Sequence, residues 1–293
     1  MGSDFTIGKN FGPQQLTGFM PLIVGLIGWV ILFGPVYLDF AQGAWTREEN
    51  AHAPFIIAII IGVAYGASVD AGRIPHSDSR QFLVGSIGLF FSLLIFVIGR
   101  QANIELFTSA SQGLVAISLM YSFYGPAGLK KYWFALALFF YLIIWPKWAL
   151  DAFTFPLKQL VSEVVSHGLF AAGLPVANSG AIISAGPYDL LVAKACAGLN
   201  SLISLTAVGS VYLYMVKRKS RAVNLIVIAA LAPLAIIANI VRVAILVLIT
   251  YYFGYDAGQG FLHEGAGLLM FAVALLGVFV VDGVAAKYWE PAQ

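Results

Sequence analysis

Charged residues are scarce in this chain of 293 residues, of which 10% are charged and 60% are hydrophobic. Soluble domains carry about 25% charged residues, so the composition and a mean hydropathy of +0.88 exclude an ordinary soluble protein. The 16 Lys and Arg residues nearly balance the 14 Asp and Glu residues, and the absence of a long basic tract excludes a nucleic-acid partner. The sequence predicts an all-α polytopic membrane protein with a single membrane-embedded domain, residues 1–293.

Cysteine is almost absent, because Cys196 is the only one. One cysteine forms no internal disulfide and no thiolate metal site. The sequence also lacks the H-E-x-x-H and G-x-S-x-G motifs and a pair of intramembrane aspartates, which disfavours metal-dependent, rhomboid-like and aspartate intramembrane proteases. We therefore expect neither a metal nor a cofactor.

Long apolar runs bounded by polar clusters are the main structural signal. A transmembrane helix needs about 20 apolar residues, and the first run is too long for a signal peptide. The pattern predicts about eight transmembrane helices, at 19–38, 54–69, 82–99, 104–124, 132–146, 196–216, 222–253 and 263–281.

The positively charged residues predict the orientation. With both termini inside, ten of the 16 Lys and Arg residues lie in cytoplasmic segments, including the cluster at 217–221 and the loop at 125–131. This divides the domain into N-terminal helices at 19–146, a larger outer loop at 147–195 and catalytic helices at 196–281.

The outer loop carries two local patterns. Residues 156–165 have apolar side chains at helical spacing, which predicts a helix on the membrane surface that could cover a site below it. Residues 181–184 and 188–193 flank a turn-rich break at 185–187, which predicts a short β-hairpin.

The run at 222–253 is too long for one perpendicular span. Its length corresponds to about 48 Å of helix, which exceeds the bilayer core by about 18 Å. We therefore expect the helix to tilt, bend or break, with Pro233 and the pair Asn239 and Arg242 as the places for a bend or break.

Three reactive or charged side chains lie within or at the ends of the predicted spans: Cys196, Arg242 and His263. Such residues are costly in lipid and therefore indicate function. Cys196 and Arg242 each lie 21 residues from the near end of the cluster at 217–221, which is about 31 Å of helix. His263 lies 24 residues before Lys287, or about 36 Å. The three are predicted to meet at the outer membrane interface.

A thiol, a guanidinium and an imidazole at one level are the groups that acyl transfer needs. The thiolate attacks a carbonyl, the cation stabilises the oxyanion and the imidazole moves the proton. From spacing alone, other interpretations stay open. Cys196 would fit as a packing residue, Arg242 as a residue that reaches the headgroups, and His263 as a cap or a partner of Glu264.

At these same positions the sequence resembles the exosortases of the exosortase/archaeosortase superfamily. Segment 195–202 (ACAGLNSL) is similar to the cysteine motif of that family, 239–242 (NIVR) to its N-x-x-R motif and 262–267 (LHEGAG) to its histidine motif. Segment 49–54 (ENAHAP) resembles a further element, with Ala53 where many members have Gly. Overall, the chain looks closest to the B and V subgroup.

The resemblance implies a membrane-embedded cysteine protease or transpeptidase of the bacterial inner membrane, with its active site facing the periplasm. Its partners would be exported proteins that end in a Pro-Glu-Pro motif, a transmembrane helix and a basic tail, and a glycan or lipid could accept the acyl group. By position, Cys196 would be the nucleophile that forms a thioester. Arg242 would stabilise the oxyanion or the thiolate, and His263 would be the general acid and base.

Five further polar residues are predicted to bind substrate or support the site. Asn239 lies one turn before Arg242 and could hold its guanidinium. Asn200 and Ser201 lie about one turn after Cys196. Glu49 and His52 lie at the outer edge of the second span.

A different class of function is a non-enzymatic component of exopolysaccharide export or transport. In that case Arg242 and His263 would line a path through the membrane. A transport path needs polar residues at several depths, whereas the unusual residues of this sequence cluster at one level. The sequence therefore favours the enzyme.

Overall fold

The computed structural model describes residues 13–47, 50–69, 75, 77–191, 198–216, 218, 220–259 and 261–289, some of them, such as 13–23, 198–202 and 261–271, by their backbone alone. The described chain is mostly helical and confirms the predicted all-α polytopic membrane fold. Its elements are α1 (Pro13–Gln42), α2 (Ala53–Val69), α3 (Ser79–Gln101), α4 (Glu105–Leu138), α5 (Lys147–Ala171), β1 (Val176–Ser179), β2 (Ile182–Ala185), β3 (Tyr188–Leu191), α6 (Gly198–Val216), α7 (Arg221–Phe253), α8 (Tyr255–Gln259) and α9 (Phe261–Trp289).

Each of the eight predicted apolar runs falls on a helix. Within the described residues, five stretches are long and apolar enough to cross a membrane, and α2 and Thr206–Val216 are shorter apolar helices. The five stretches are Val24–Gln42, Ser79–Gln101, Glu105–Leu142, Arg221–Phe253 and Ala272–Trp289. The number of spans and their orientation stay predictions.

Helices α3 and α4 pack closely because small residues face each other along the contact. A side chain on Gly85 would lie 2.6 Å from the backbone nitrogen of Ser122, and one on Gly99 would lie 2.7 Å from that of Thr108. In lipid, where apolar burial gives little gain, such close backbone approach is a main source of helix association.

The chain reverses direction at Gly125, between the two halves of helix α4. The turn is therefore shorter than the loop predicted at 125–131. Gly125 has the non-helical angles φ 56° and ψ −153°, and Pro126 follows it. The backbone nitrogen of Ile144 donates a hydrogen bond to Ser109 Oγ at 2.9 Å, so the second half of α4 returns along the first. A left-handed glycine followed by proline makes this reversal in a single residue. The predicted span at 132–146 is helical only to Leu142, the last turn being a 3-10 helix.

The outer region contains a longer helix and a larger sheet than predicted. Helix α5 has 25 residues, and the sheet has three antiparallel strands in the order β1, β2, β3. Two-residue turns connect the strands, and Gly180 and Gly186 begin them with φ of 62° and 59°. Glycine at the first position suits a type II′ hairpin turn. The predicted hairpin corresponds to β2 and β3, and β1 was missed.

Helix α7 is unbroken from Arg221 to Phe253, so the break expected near Pro233 or Asn239 does not occur. Its second half is covered instead by α5 and the sheet. In one buried cluster, Val243 and Val247 of α7 pack with α5 and with all three strands. The length beyond one span is therefore stabilised by packing against this outer layer.

We predict that Gly85→Ala destabilises the protein by about 1–3 kcal/mol, because the new methyl group would collide with the backbone of α4. The matched control is Gly62→Ala on α2, where nothing lies within 4 Å of the added carbon. Alanine favours helix over glycine, so the control should be neutral or stabilising. Thermal unfolding of both variants in detergent measures the difference, and equal effects would contradict the packing argument.

Candidate functional site

The structure describes the predicted site residues to different degrees. Cys196 and Glu49 lie outside the described residues. Asn200 and Ser201 lie in the first turn of α6 and His263 in the first turn of α9, each placed by its backbone. The structure also describes the side chains of Asn239, Arg242 and His52.

Contact between α6 and α7 fixes the level of Arg242. These antiparallel helices approach closely at Gly209, where an added side chain would collide with Leu231. Arg242 lies eleven residues after Leu231, and Gly198 lies eleven residues before Gly209. Arg242 is therefore level with Gly198, which follows Cys196 by two residues in the sequence.

Helix α9 brings the backbone of His263 close to this level. The rings of Tyr212 on α6 and Phe279 on α9 are 4.9 Å apart, and this register places His263 about 3 Å outward of Gly198. The close approach of Gly277 on α9 to Leu234 on α7 gives a second register, in which His263 lies about 9 Å outward of Arg242 by the same rise per residue. Both contacts bring the start of α9 near the level of Arg242.

Arg242 and Asn239 lie one turn apart on α7 and are both 5% exposed. By the same α6 and α7 register, Asn239 is level with Ser201. The residue after Arg242, Val243, belongs to the apolar cluster shared with α5 and the sheet. The outer layer thus excludes water beside a permanently charged guanidinium, which strengthens its electrostatic effect.

His52 lies elsewhere in the described structure. It immediately precedes α2, and its Nε2–H donates a hydrogen bond to the backbone oxygen of Tyr141 at 3.0 Å. Its other ring nitrogen, Nδ1, is buried and has no hydrogen-bond partner among the described atoms. Burial lowers the pKa of His52 below its usual value. No described contact joins His52 to Arg242 or Asn239, so the structure does not place it in one cluster with them.

A cavity of about 610 Å³ lies between the second half of α4, α6 and the first half of α7. Its walls are mainly aromatic and aliphatic and include the stacked rings of Phe134 and Tyr214, whose centroids are 4.3 Å apart. Tyr141, the partner of His52, also lines it. On α7 the cavity is lined by Asn224 and Ile228, which precede Arg242.

Sequence reasoning missed a buried polar cluster around Asp282 on α9. This carboxylate is 1% exposed and accepts a hydrogen bond from Tyr212 Oη at 2.6 Å. Arg218, between α6 and α7, donates to its two oxygens at 3.2 and 2.7 Å. The signal that could have found it is an isolated acidic residue in the last apolar run, opposite a basic turn.

No group of three His, Cys, Asp or Glu side chains that could hold a metal occurs among the residues whose placement is described. The described part of the site contains instead a buried cation, a carboxamide and the starts of two helices. Such groups stabilise negative charge.

We predict that acidification destabilises the protein through His52. The pKa of His52 is lowered in the folded protein, so the unfolded chain binds the proton first as the pH falls. The protein therefore loses stability as the pH drops from about 6.5, the pKa of histidine in the unfolded chain, toward the pKa of His52 in the folded protein. Thermal unfolding between pH 7.5 and pH 5 should show a smaller acid loss for His52→Gln than for wild type. His167→Gln on the exposed face of α5 is the control, and equal curves for His52→Gln and wild type would contradict the prediction.

Comparison with known proteins identifies the family. A family model described as transmembrane exosortase matches residues 45–280, which is most of the chain and includes α2 to α7 and much of α9. No curated protein and no solved structure matches the chain. The match covers the segments that hold Cys196, Arg242 and His263. The chain therefore belongs to the transmembrane exosortase family.

Proposed function

We propose that this exosortase is a cysteine peptidase or transpeptidase that cuts the C-terminal sorting tails of exported proteins. The substrates would carry a Pro-Glu-Pro motif, a transmembrane helix and a basic tail. The enzyme would lie in the bacterial inner membrane with its site facing the periplasm, and Cys196 would form a thioester with the substrate. The observation that carries the proposal is the common level of Arg242 and Gly198.

Chain connectivity limits how far Cys196 can lie from Gly198. Two residues of chain extend at most about 7 Å, so a thiol two residues before Gly198 is within reach of the level of Arg242. A cation and the N-terminal end of a helix both favour the thiolate over the thiol. Arg242 and the start of α6 would together activate the nucleophile.

In the first half-reaction, the Cys196 thiolate attacks the carbonyl carbon of the scissile peptide bond. The carbonyl oxygen becomes an oxyanion, which the guanidinium of Arg242 stabilises. Collapse of this intermediate breaks the C–N bond and leaves a thioester on Cys196. The leaving amine takes a proton from the imidazolium of His263, which had received it from the Cys196 thiol, and the tail departs with its transmembrane helix.

In the second half-reaction, the hydroxyl or amine of an acceptor attacks the thioester carbonyl. A glycan, a lipid or water could fill this role. His263 takes the proton of the acceptor, the C–S bond breaks, and the thiolate of Cys196 is restored. Asn239, one turn from Arg242, would hold the guanidinium in position. Asn200 and Ser201 would bind the substrate backbone, and Glu49 and His52 would act further along the substrate.

The alternative function, a non-enzymatic component of exopolysaccharide export, fits the described polar residues less well. Residues 225–238 of α7 are all apolar, so this helix offers no ladder of polar groups from Asn239 inward. A transport path through the bilayer needs such groups at successive depths. The polar residues of α7 at the outer level serve a local reaction better than passage across the membrane.

We predict that Cys196→Ala abolishes cleavage of a co-expressed reporter that ends in a Pro-Glu-Pro motif, a transmembrane helix and a basic tail. The reason is that no other cysteine is present to form the thioester. Immunoblotting follows the reporter, with equal membrane levels of the two enzymes as the control. Equal shortening by wild type and variant would refute the nucleophile assignment, and no shortening by wild type of a tail from its own genome would favour the transport function.

We predict that Arg242→Lys lowers the cleavage rate on the order of 10²-fold or more, because a lysine lacks the planar fork that aligns two donors with an oxyanion. The matched control is Arg221→Lys at the start of the same helix, where the side chain is exposed. Initial rates of reporter cleavage compare the two variants. A rate for Arg242→Lys within a few-fold of the control would show that this guanidinium does not stabilise the oxyanion.

A further inference from the structure

The contact between α9 and its neighbours is largely apolar. Ala274, Val278 and Ala285 of α9 pack in one buried cluster with a row of α7 residues that includes Val227 and Leu231. These apolar contacts hold the two helices together by packing. A buried polar group can add to the register, because a shifted helix would leave that group without partners.

Register matters for the proposed reaction, because α9 carries His263 and α7 carries Arg242. A slip of α9 by one residue combines a shift of about 1.5 Å along the helix axis with a rotation of about 100°. His263 would take part in both movements. A displacement of about 1 Å at a reacting group can reduce catalysis on the order of 10²-fold. A contact that resists sliding of α9 along α7 would therefore matter to the proposed reaction.

Asp282 supplies a contact with a defined position. Its two carboxylate oxygens receive three hydrogen bonds, two from Arg218 at 3.2 and 2.7 Å and one from Tyr212 at 2.6 Å. The carboxylate side chain is 2% exposed, so a slipped α9 would leave a buried charge without partners, which is costly. This polar contact joins α9 to α6 and to the turn before α7.

We propose that Asp282 is a positioning residue that fixes the register of α9 against the α6 and α7 hairpin, so that His263 stays level with Arg242. The inference rests on the proposed function for its consequence in catalysis. The register itself is a structural property. Asp282 lies 19 residues from His263 in the sequence, which is about 28 Å along the helix, so it acts on the reaction only through the position of α9.

Disulfide trapping measures the register without any activity. In a Cys196→Ala background the chain has no cysteine, and the pair Leu234→Cys/Gly277→Cys places two thiols where the side chain of Leu234 on α7 reaches Gly277 on α9. The pair Leu234→Cys/Gly283→Cys is the negative control, because nothing lies within 4 Å of a side chain added at Gly283. We expect Asp282→Asn to lower the yield of the first disulfide by about threefold or more, since the bond tolerates little change in geometry.

Cleavage kinetics test the consequence for the reaction, with Cys196 restored. We expect Asp282→Asn to lower kcat by about tenfold or more with KM changed by less than about threefold, because the substrate still binds while His263 is displaced. Arg218→Lys keeps the charge but loses the two-point contact, so it should show the same pattern. Arg221→Gln removes a nearby charge outside the cluster and should behave like wild type.

The outcomes separate this inference from the proposed function. If Asp282→Asn and Arg218→Lys keep the parental disulfide yield, the register does not depend on this cluster and the inference is wrong. A fall in kcat with unchanged disulfide yield, or a rise in KM alone, would also overturn it. If Asp282→Asn fails to reach the membrane, Arg218→Lys provides the test. A wild-type enzyme that does not cut the reporter would refute the proposed function, while the trapping result would still decide the register.

Discussion

Arg242 carries a permanent positive charge in α7, where Asn239 is the other polar residue between 225 and 249. The burial of that charge is the constraint on which the outer half of the molecule depends. A buried guanidinium without compensation would destabilise the fold. Asn239 lies one turn before Arg242 on α7, and the first turns of α6 and α9 begin near the same level along the helix axes. A site that tolerates a fixed cation is suited to hold a transient anion.

The outer layer gives this arrangement its dielectric environment. Helix α7 continues about 16 Å beyond Arg242, and Val247 and its neighbours in that extension pack on α5 and the sheet. Along this part of α7, α5 and the sheet form a side wall. Because this wall excludes water on one side of the helix, electrostatic interactions near Arg242 are stronger than they would be at an open membrane surface.

The sequence could predict the helices, because they depend on a pattern that one chain displays. Apolar length identifies helices wherever they are located. Counting residues from the basic cluster at 217–221 placed Arg242 level with Cys196, which lies outside the described residues, and the contact between Gly209 and Leu231 places Arg242 level with Gly198, two residues further along the chain. Features that depend on a single residue or on a distant partner escaped. The reversal at Gly125 requires knowledge of one backbone conformation. The contact of His52 with Tyr141 joins residues 89 positions apart, which no periodicity reveals.

The direction of the helices adds to the chemistry proposed for the site. Helices α6 and α9 run parallel and both begin near the level of Arg242, so their N-terminal ends, each equivalent to about half a positive charge, lie on the same side as the guanidinium. Three positive fields at one level favour a thiolate and an oxyanion. The same fields disfavour an imidazolium at His263, so under the proposed function this side chain would hold a proton only briefly before the leaving amine takes it. Arg242 would then supply the standing positive charge, and His263 would carry the proton. Because the two roles would lie on separate helices, the relative position of α7 and α9 would matter to the reaction.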